Sequence, residues 1–307
     1  AVLAYYTLPR RFQGLLLILA SCVFYAYFSF AYLFIFCALA LFNFLLARKI
    51  EKGSATRRKN FLIFGIILNL ALLAVYRYVV FPNAYTAALG TFLDWNYGAG
   101  LLSLVWPIGL SYLVFQDIGY LVEVQRGSYA AEREFLPSLP FVLFFPTLLA
   151  GPVERPAHLL PQLKRVHEFE GVRVARGLER MLWGFFKKIV IADNIAILVL
   201  HVYAILPHTN GLALLLLVFL YPFQLYADFS GYTDIALGAS LILGIELSEN
   251  FNRPFSSHSI SEFWRRWHIS VSTWFRDYVY LQLASAKEKT YVRRYVAPSI
   301  TFLISGL

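Results

Sequence analysis

Long apolar runs alternate along the chain with short clusters of charge. Residues 12–28 and 32–47 predict two helices with a tight connection near Ser29. Arg48, Lys49, Lys52, Arg57, Arg58 and Lys59 then crowd what reads as one short loop, and such a basic loop belongs on the cytoplasmic side of a membrane. Residues 61–80 predict a third span, with Arg77 at its interfacial end, and 82–100 a connecting loop. The run 101–122 is apolar but carries Pro107, Gly109, Gln116 and Asp117. Residues 135–151, broken by Pro137, Pro140 and Pro146, make a poor complete span and predict a re-entrant or interfacial element. The Gly-Pro stretch 150–156 predicts an irregular backbone, which is tolerated at membrane depth only inside protein or along a cavity. It borders a site or is a rigid turn with no chemistry.

Residues 164–188 are basic and helical in character and read as cytoplasmic. A span follows over 183–203 with Asp193 and Asn194 inside it. The run 211–248 is broken by Pro222 and by residues 228–234, which predicts two helices meeting there. Asp228 would cap the second helix, and Asp234, one turn in, would face polar partners. The last apolar segment, 296–307, has too few residues to span, so the protein is expected to continue beyond Leu307.

Residues 259–278 predict the one strongly amphipathic helix. Ser259 followed by Glu262 has capping-box spacing. Trp264, Trp267, His268, Val271, Trp274, Phe275 and Tyr278 fall on one face, and Glu262, Arg265, Arg266, Thr273 and Arg276 on the other. Three tryptophans beside basic residues suit a helix lying at the lipid headgroups.

Composition supports a polytopic membrane protein. The 307 residues are 59% apolar and only 15% charged, where a soluble domain carries about a quarter charged. The net charge of +9 sits beside the apolar runs, where it sets topology and meets anionic lipid, so nucleic acid is not an expected partner. Counting crossings from the first basic loop places residues 259–278 outside, whereas Arg253, Arg265, Arg266, Lys287, Lys289, Arg293 and Arg294 place that end inside. One re-entrant segment reconciles the two, and the charge bias decides for inside. Cys22 and Cys37 read as small core residues rather than a disulfide framework. No phosphate-cradling Gly-rich loop, zinc-ligand spacing or nucleophile elbow is present, so those enzyme classes are unsupported.

Asp117, Asp193 and Asp234 inside apolar runs mark either helix-locking pairs or an ion path through a non-catalytic transporter or scaffold. Pairing is the simpler reading, with an arginine or tyrosine of a neighbouring helix as the expected partner of Asp117. His268 has two readings as well. A lone histidine on an apolar stripe is commonly structural. A desolvated imidazole also stays neutral at pH 7 and can take a proton from a hydroxyl attacking an acyl group.

Several blocks, in order along nearly the whole chain, resemble the membrane-bound O-acyltransferase family. They are Phe145-Pro146 with Ala150-Gly151-Pro152, then Gln224 to Asp234, then Glu249-Asn250-Phe251-Asn252-Arg253-Pro254-Phe255, then Glu262 to Ser270, and Trp274-Phe275-Arg276-Asp277-Tyr278. Within the family the chain is most similar to the alginate O-acetylation branch. The resemblance implies an all-α polytopic fold, a helical bundle with re-entrant and interfacial helices around a funnel or tunnel, and one membrane domain over 1–307 that is incomplete at both ends. It implies acyl transfer in the bacterial inner membrane, acetyl first among the acyl groups. The donor would be acetyl-CoA or an acyl-carrier protein, with no tightly bound cofactor and no metal. The acceptor would be a polysaccharide or cell-wall polymer, served with an extracytoplasmic partner acyltransferase. His268 corresponds to the first of two characteristic histidines. The second, the better general base, follows a stretch like Ser305-Gly306-Leu307 in the family. Trp264, Trp267, Arg276, Asp277, Asp228, Asp234 and Asn252 would line the donor site or tunnel. Residues 281–289 depart from the Gly-rich basic turn of the alginate branch, which leaves D-alanyl transfer to teichoic acid as a rival within the family.

Overall fold

Helices account for the regular structure throughout a computed structural model that describes residues 2–76, 109–148, 151–205, 210–285 and 291–306, with no strand among them. In chain order these are α1 (Val2–Thr7), α2 (Gln13–Phe28), α3 (Phe30–Lys52), α4 (Ala55–Ala74), α5 (Leu110–Arg126), α6 (Phe135–Leu143), α7 (Pro156–Lys164), α8 (Gly171–Phe185), α9 (Asp193–Ala204), α10 (Gly211–Ile242), α11 (Ile260–Arg266), α12 (Ile269–Phe275), α13 (Leu281–Ser285) and α14 (Ala297–Gly306). Wider π-helical turns, Phe186–Ala192 and Arg276–Tyr280, follow α8 and α12. The loop expected over 82–100, Arg77, Pro107, Ala150, Lys287 and Lys289 lie outside the described residues.

Two described helices, α3 and α10, are long and apolar enough to cross a bilayer; α2 is apolar but shorter. At 1.5 Å per residue the 32 residues of α10 extend about 48 Å, more than a hydrocarbon core of roughly 30 Å. Large apolar side chains on α10 face outward, among them Leu212, Leu215, Val218 and Phe219, each more than 60% exposed, a surface suited to lipid.

The chain divides into two compact units. One comprises residues 14–148 and 155–164. Ser29 caps α3 through its Oγ, which accepts from the Tyr32 amide at 3.4 Å, as the tight connection there requires. The basic loop expected after it shrinks to Gly53 and Ser54. Arg48, Lys49 and Lys52 ride the last turns of α3, and Arg57, Arg58 and Lys59 the first of α4. Cations at the end of α3 sit well against the helix dipole, so the helix persists where the charge pattern suggested a loop.

Behind this hairpin, α3, α4 and α5 are joined by a buried polar cluster. Asn43 Nδ2 donates to Asp117 Oδ2 at 2.8 Å, and Asn69 Nδ2 donates to Asn43 Oδ1 at 2.9 Å and to Gly65 O at 2.8 Å. The pairing expected of Asp117 is therefore present, but with an amide rather than an arginine or tyrosine. Close approach explains how three helices reach one another here: a Cβ on Gly65 would meet Leu121 and Leu46 side-chain carbons at 2.6 Å. Replacing Asp117 with leucine removes the shortest of the three acceptors around the Asn43 amide, leaving Leu39 O at 3.1 Å and Asn69 Oδ1 at 3.3 Å, and is expected to lower stability by roughly 1–2 kcal/mol. Asp117→Asn should cost less, and thermal unfolding in detergent distinguishes the two.

The second unit comprises residues 1–13, 149–154 and 165–307. Here the sequence reading needs correction. Residues 211–242 form one helix and not two: Pro222 lies inside it, and Asn210 is its cap, its side chain accepting from the Ala213 amide at 2.9 Å. Asp228 caps nothing. Its Oδ1 instead forms an ion pair with Lys188 Nζ, 2.8 Å away on the neighbouring helix.

Two glycine pairs bring α8 against α10. Gly177 faces Gly238 and Gly184 faces Gly231, a seven-residue step on both helices, and a Cβ on any of the four would meet backbone of the opposing helix between 2.5 and 2.9 Å. Such small-residue stripes are how apolar helices gain backbone proximity without a hydrophobic driving force. The stretch Phe186–Ala192 continues this helix in wider turns. They let the consecutive Lys187 and Lys188 both turn toward α10, Lys187 to Asp234 and Lys188 to Asp228.

Candidate active site

His268 occupies a break and not a stripe. The single helix expected over 259–278 is two short ones, α11 and α12, separated at Trp267 and His268. The start is as expected: Ser259 Oγ accepts from the Glu262 amide at 3.2 Å, although Glu262 reaches back to the amide of His258, 2.9 Å away, rather than to Ser259. His268 then takes a left-handed backbone, φ 43° and ψ 55°, and becomes the residue from which α12 begins. For a residue with a Cβ this conformation costs roughly 1–2 kcal/mol.

The strain is imposed by a ladder to residues 250–252. Asn252 N donates to Arg266 O and Ile269 N donates to Asn250 O, both at 2.9 Å, bracketing Trp267 and His268. Asn250, fully buried, accepts through Oδ1 from Ser270 N at 3.2 Å and Ser270 Oγ at 2.9 Å. Ser270 Oγ in turn accepts from Val153 N at 3.0 Å. Arg253, at the end of the ladder, is the other described residue besides glycine with a left-handed backbone, φ 46°.

The aromatic setting of His268 comes from other elements. Its ring lies edge-on to Phe229 of α10 at 4.7 Å and parallel to Phe251 at 6.5 Å between centroids. Trp267 meets Phe251, Phe263 and Tyr226 at 5.2, 5.6 and 6.0 Å. Burial among these rings pushes the His268 imidazole down to about 4, so it is neutral at pH 7.

Phe251 also lines a cleft of about 300 Å³ with Asn252, Arg253, Tyr226, Trp183 and a charged group. Within that group Arg180 holds Asp234 Oδ1 through Nε and Nη2, both at 3.0 Å, and Glu249 through Nη1 and Nη2, both at 2.5 Å. Lys187 contacts the other Asp234 oxygen and donates to Ser230 Oγ at 3.2 Å. Asp234 faces polar partners as the sequence suggested. Asp193 is paired too, with Lys188 at 2.6 Å. With Asp117, Asp193 and Asp234 each held by a partner, the acids read as structural pairs rather than as steps of an ion path.

The expected site residues thus separate. Asp234 and Asn252 line the cleft, and Trp267 belongs to the aromatic cluster around His268. Asp228 is tied to Lys188. Trp264 packs on Phe263 and on Phe302 of α14. Arg276 and Asp277 pair with each other at 2.8 Å. Sequence reasoning passed over Arg180, Lys187, Asn250 and Ser270. The seven-residue spacing of Arg180 and Lys187 was a usable signal, and so was the place of Asn250 and Ser270 inside two of the blocks that carry the family resemblance. Among the described residues no group of three histidine, cysteine or acidic side chains is arranged to hold a metal.

Residues 121–307 match the model of the membrane-bound O-acyltransferase family, and the chain belongs to that family, whose members are membrane proteins. It is 38% identical to the probable alginate O-acetylase AlgI of Azotobacter vinelandii, over 99% of this chain and 60% of the relative. It is 32% identical to the peptidoglycan O-acetyltransferase of Helicobacter pylori, over 99% of this chain and 62% of the relative. A teichoic acid D-alanyltransferase of Bacillus subtilis is 32% identical, over 66% of this chain and 52% of the relative. The chain spans about six-tenths of the length of the alginate O-acetylases it matches.

Proposed function

We propose that the protein is an O-acyltransferase that passes an acyl group, acetyl first, to hydroxyls of an extracytoplasmic polysaccharide or cell-wall polymer. The donor is acetyl-CoA or an acyl-carrier protein, presented to a bundle around a funnel or tunnel in the bacterial inner membrane, which the chain crosses several times. The short proline-containing helix Phe135–Leu143 belongs to its re-entrant or interfacial part. An extracytoplasmic partner acyltransferase completes delivery to the polymer.

The observation that carries this reading is His268 itself: a neutral imidazole at a strained break, fixed by the Asn250–Ser270 ladder beside the cleft. Strain of this kind persists where the surroundings over-determine it and clusters at working sites. An attacking hydroxyl gives its proton to a base as its oxygen bonds to the acyl carbon, and the donor sulfur leaves and takes a proton back. His268 serves the donor side or supports the base, with Asp234 and Asn252 in the wall of the cleft and Trp267 closing the aromatic side. Identity along nearly the whole chain to proteins named for O-acetylation supports acetyl and a polymer acceptor.

Membranes containing the whole protein, supplied with radiolabelled acetyl-CoA and with the host's own polymer, should transfer label into alkali-labile ester on the polymer. Label appearing only from D-alanine charged on a carrier protein would replace this reading with D-alanyl transfer. No transfer from either donor would remove the enzyme assignment.

A further inference from the structure

A second built feature lies in the other unit, at the charged end of the α3–α4 hairpin. Arg48, Lys49, Lys52 and Arg57 surround a groove of about 540 Å³ whose remaining walls include Leu45 and Phe61. That is within the size range of small-ligand sites.

The neighbouring groups that could have neutralised these cations turn elsewhere. Glu51, the one acid on this end of the hairpin, pairs with Arg133 at 2.9 Å and accepts from the Ala131 amide at 3.0 Å. Arg58 spends its Nε on Ile50 O at 3.1 Å. Among the described residues no carboxylate meets Arg48, Lys49, Lys52 or Arg57. Four cations converge here without an acid, so an anion seated among them is attracted by all four and meets no competing carboxylate.

The apolar surface continues from the groove along the same hairpin. Leu45 and Leu41 on α3 are 48% and 41% exposed, and Phe64 and Ile67 on α4 are 53% and 60% exposed. A ligand seated here therefore meets cations at one end and hydrocarbon at the other, on a helix long enough to span the bilayer. A free phosphate or a nucleotide would use the charges and leave the apolar flank unused. An amphiphile uses both.

We propose that this groove binds the headgroup of an anionic phospholipid, with Arg48, Lys49, Lys52 and Arg57 around the phosphate and Leu45 and Phe61 against the first acyl carbons. The proposal rests on the membrane placement of α3 and is independent of the acyl-transfer reading. Topology alone asks for positive charge at this end but not for a selective site.

Native mass spectrometry of the whole protein in neutral detergent tests it, using phosphatidylglycerol and phosphatidylcholine of identical chains. Phosphatidylglycerol should bind selectively. The quadruple Arg48→Gln, Lys49→Gln, Lys52→Gln, Arg57→Gln variant should weaken it at least about tenfold, while Arg165→Gln with Arg176→Gln should not. Leu45→Glu, which keeps all four cations, should weaken the same lipid and covers the case in which the quadruple variant fails to fold. Equal binding of both lipids, unchanged selectivity in the variants, or displacement of the lipid by millimolar coenzyme A or inorganic phosphate would overturn the proposal. The last outcome would assign the groove to a soluble phosphate ligand instead.

Discussion

Replacing His268 with glycine is expected to lower polymer acylation by about a hundredfold or more while the protein folds as well as before. Glycine is the informative choice because residue 268 sits at φ 43°, a conformation that glycine takes freely and alanine does not. His268→Ala removes the imidazole and keeps the Cβ with its backbone strain, whereas His268→Gly removes the imidazole and relieves that strain, so a loss of acylation in the glycine variant cannot come from a poorer backbone fit. Thermal unfolding in detergent should show the glycine variant at or above the wild-type midpoint and the alanine variant below it. Acylation should fall in both. If His268→Gly transfers acyl groups at the wild-type rate, the histidine is structural and the proposed role fails.

The pH dependence of the same residue has a defined sign. Its folded-state value lies near 4, below the ordinary 6.5, because burial among Phe229, Phe251 and Trp267 disfavours the charged ring. The unfolded chain therefore binds the extra proton first as the medium is acidified. The associated stability is complete above about pH 6.5 and is lost as pH falls through 4. Acylation should accordingly keep a neutral His268 down to pH 5, with no inflection from this group near 6.5.

What the sequence disclosed divides along physical lines. Composition and the spacing of apolar runs gave the helical class, and local rules found the tight connection near Ser29 and the Ser259 cap, because each depends on residues within a few positions. The misplaced boundaries have one cause in common: a local signal was outvoted by partners distant in sequence. Asp228 has the chemistry of a cap but ion-pairs with Lys188, and α10 runs through it. Arg48 to Lys59 look like a loop by charge, yet the dipole of α3 tolerates cations at its end. The helix over 259–278 has good amphipathic periodicity and still breaks at His268, because the amide of Asn252 and the carbonyl of Asn250 bond across the break. The aromatic surroundings of His268 were foreseen, but their source was not, since Phe229 and Phe251 come from other segments. Trp264, Arg276 and Asp277 carried a motif-level expectation that motif membership could not place: a motif fixes neighbours along the chain and not which of them faces the cleft.

A single methyl group at Gly238 is expected to cost about 3 kcal/mol and to take acylation down with it. A Cβ there would meet Gly177 O at 2.5 Å and the Met181 amide nitrogen at 2.9 Å, both backbone atoms of α8 that cannot rotate aside. Overpacking against side chains commonly costs 1–3 kcal/mol because rotamers absorb part of it; against backbone the helices themselves must part, which places this substitution at the upper end. The damage would spread along the shared register. Gly184 and Gly231 lie one step further along the same antiparallel contact, and beyond them Lys187 and Lys188 reach Asp234 and Asp228. Moving α8 away from α10 takes those carboxylates' cations from them and opens the wall of the cleft that Arg180 and Asp234 share. Gly171→Ala, at the start of α8 with nothing within 4 Å, is the matched control and should leave both stability and acylation unchanged. Detergent thermal unfolding and acylation measured side by side decide the matter: a Gly238→Ala protein as stable as the Gly171→Ala protein would mean that the two helices are not held at backbone distance, and the charged row between them would need another explanation.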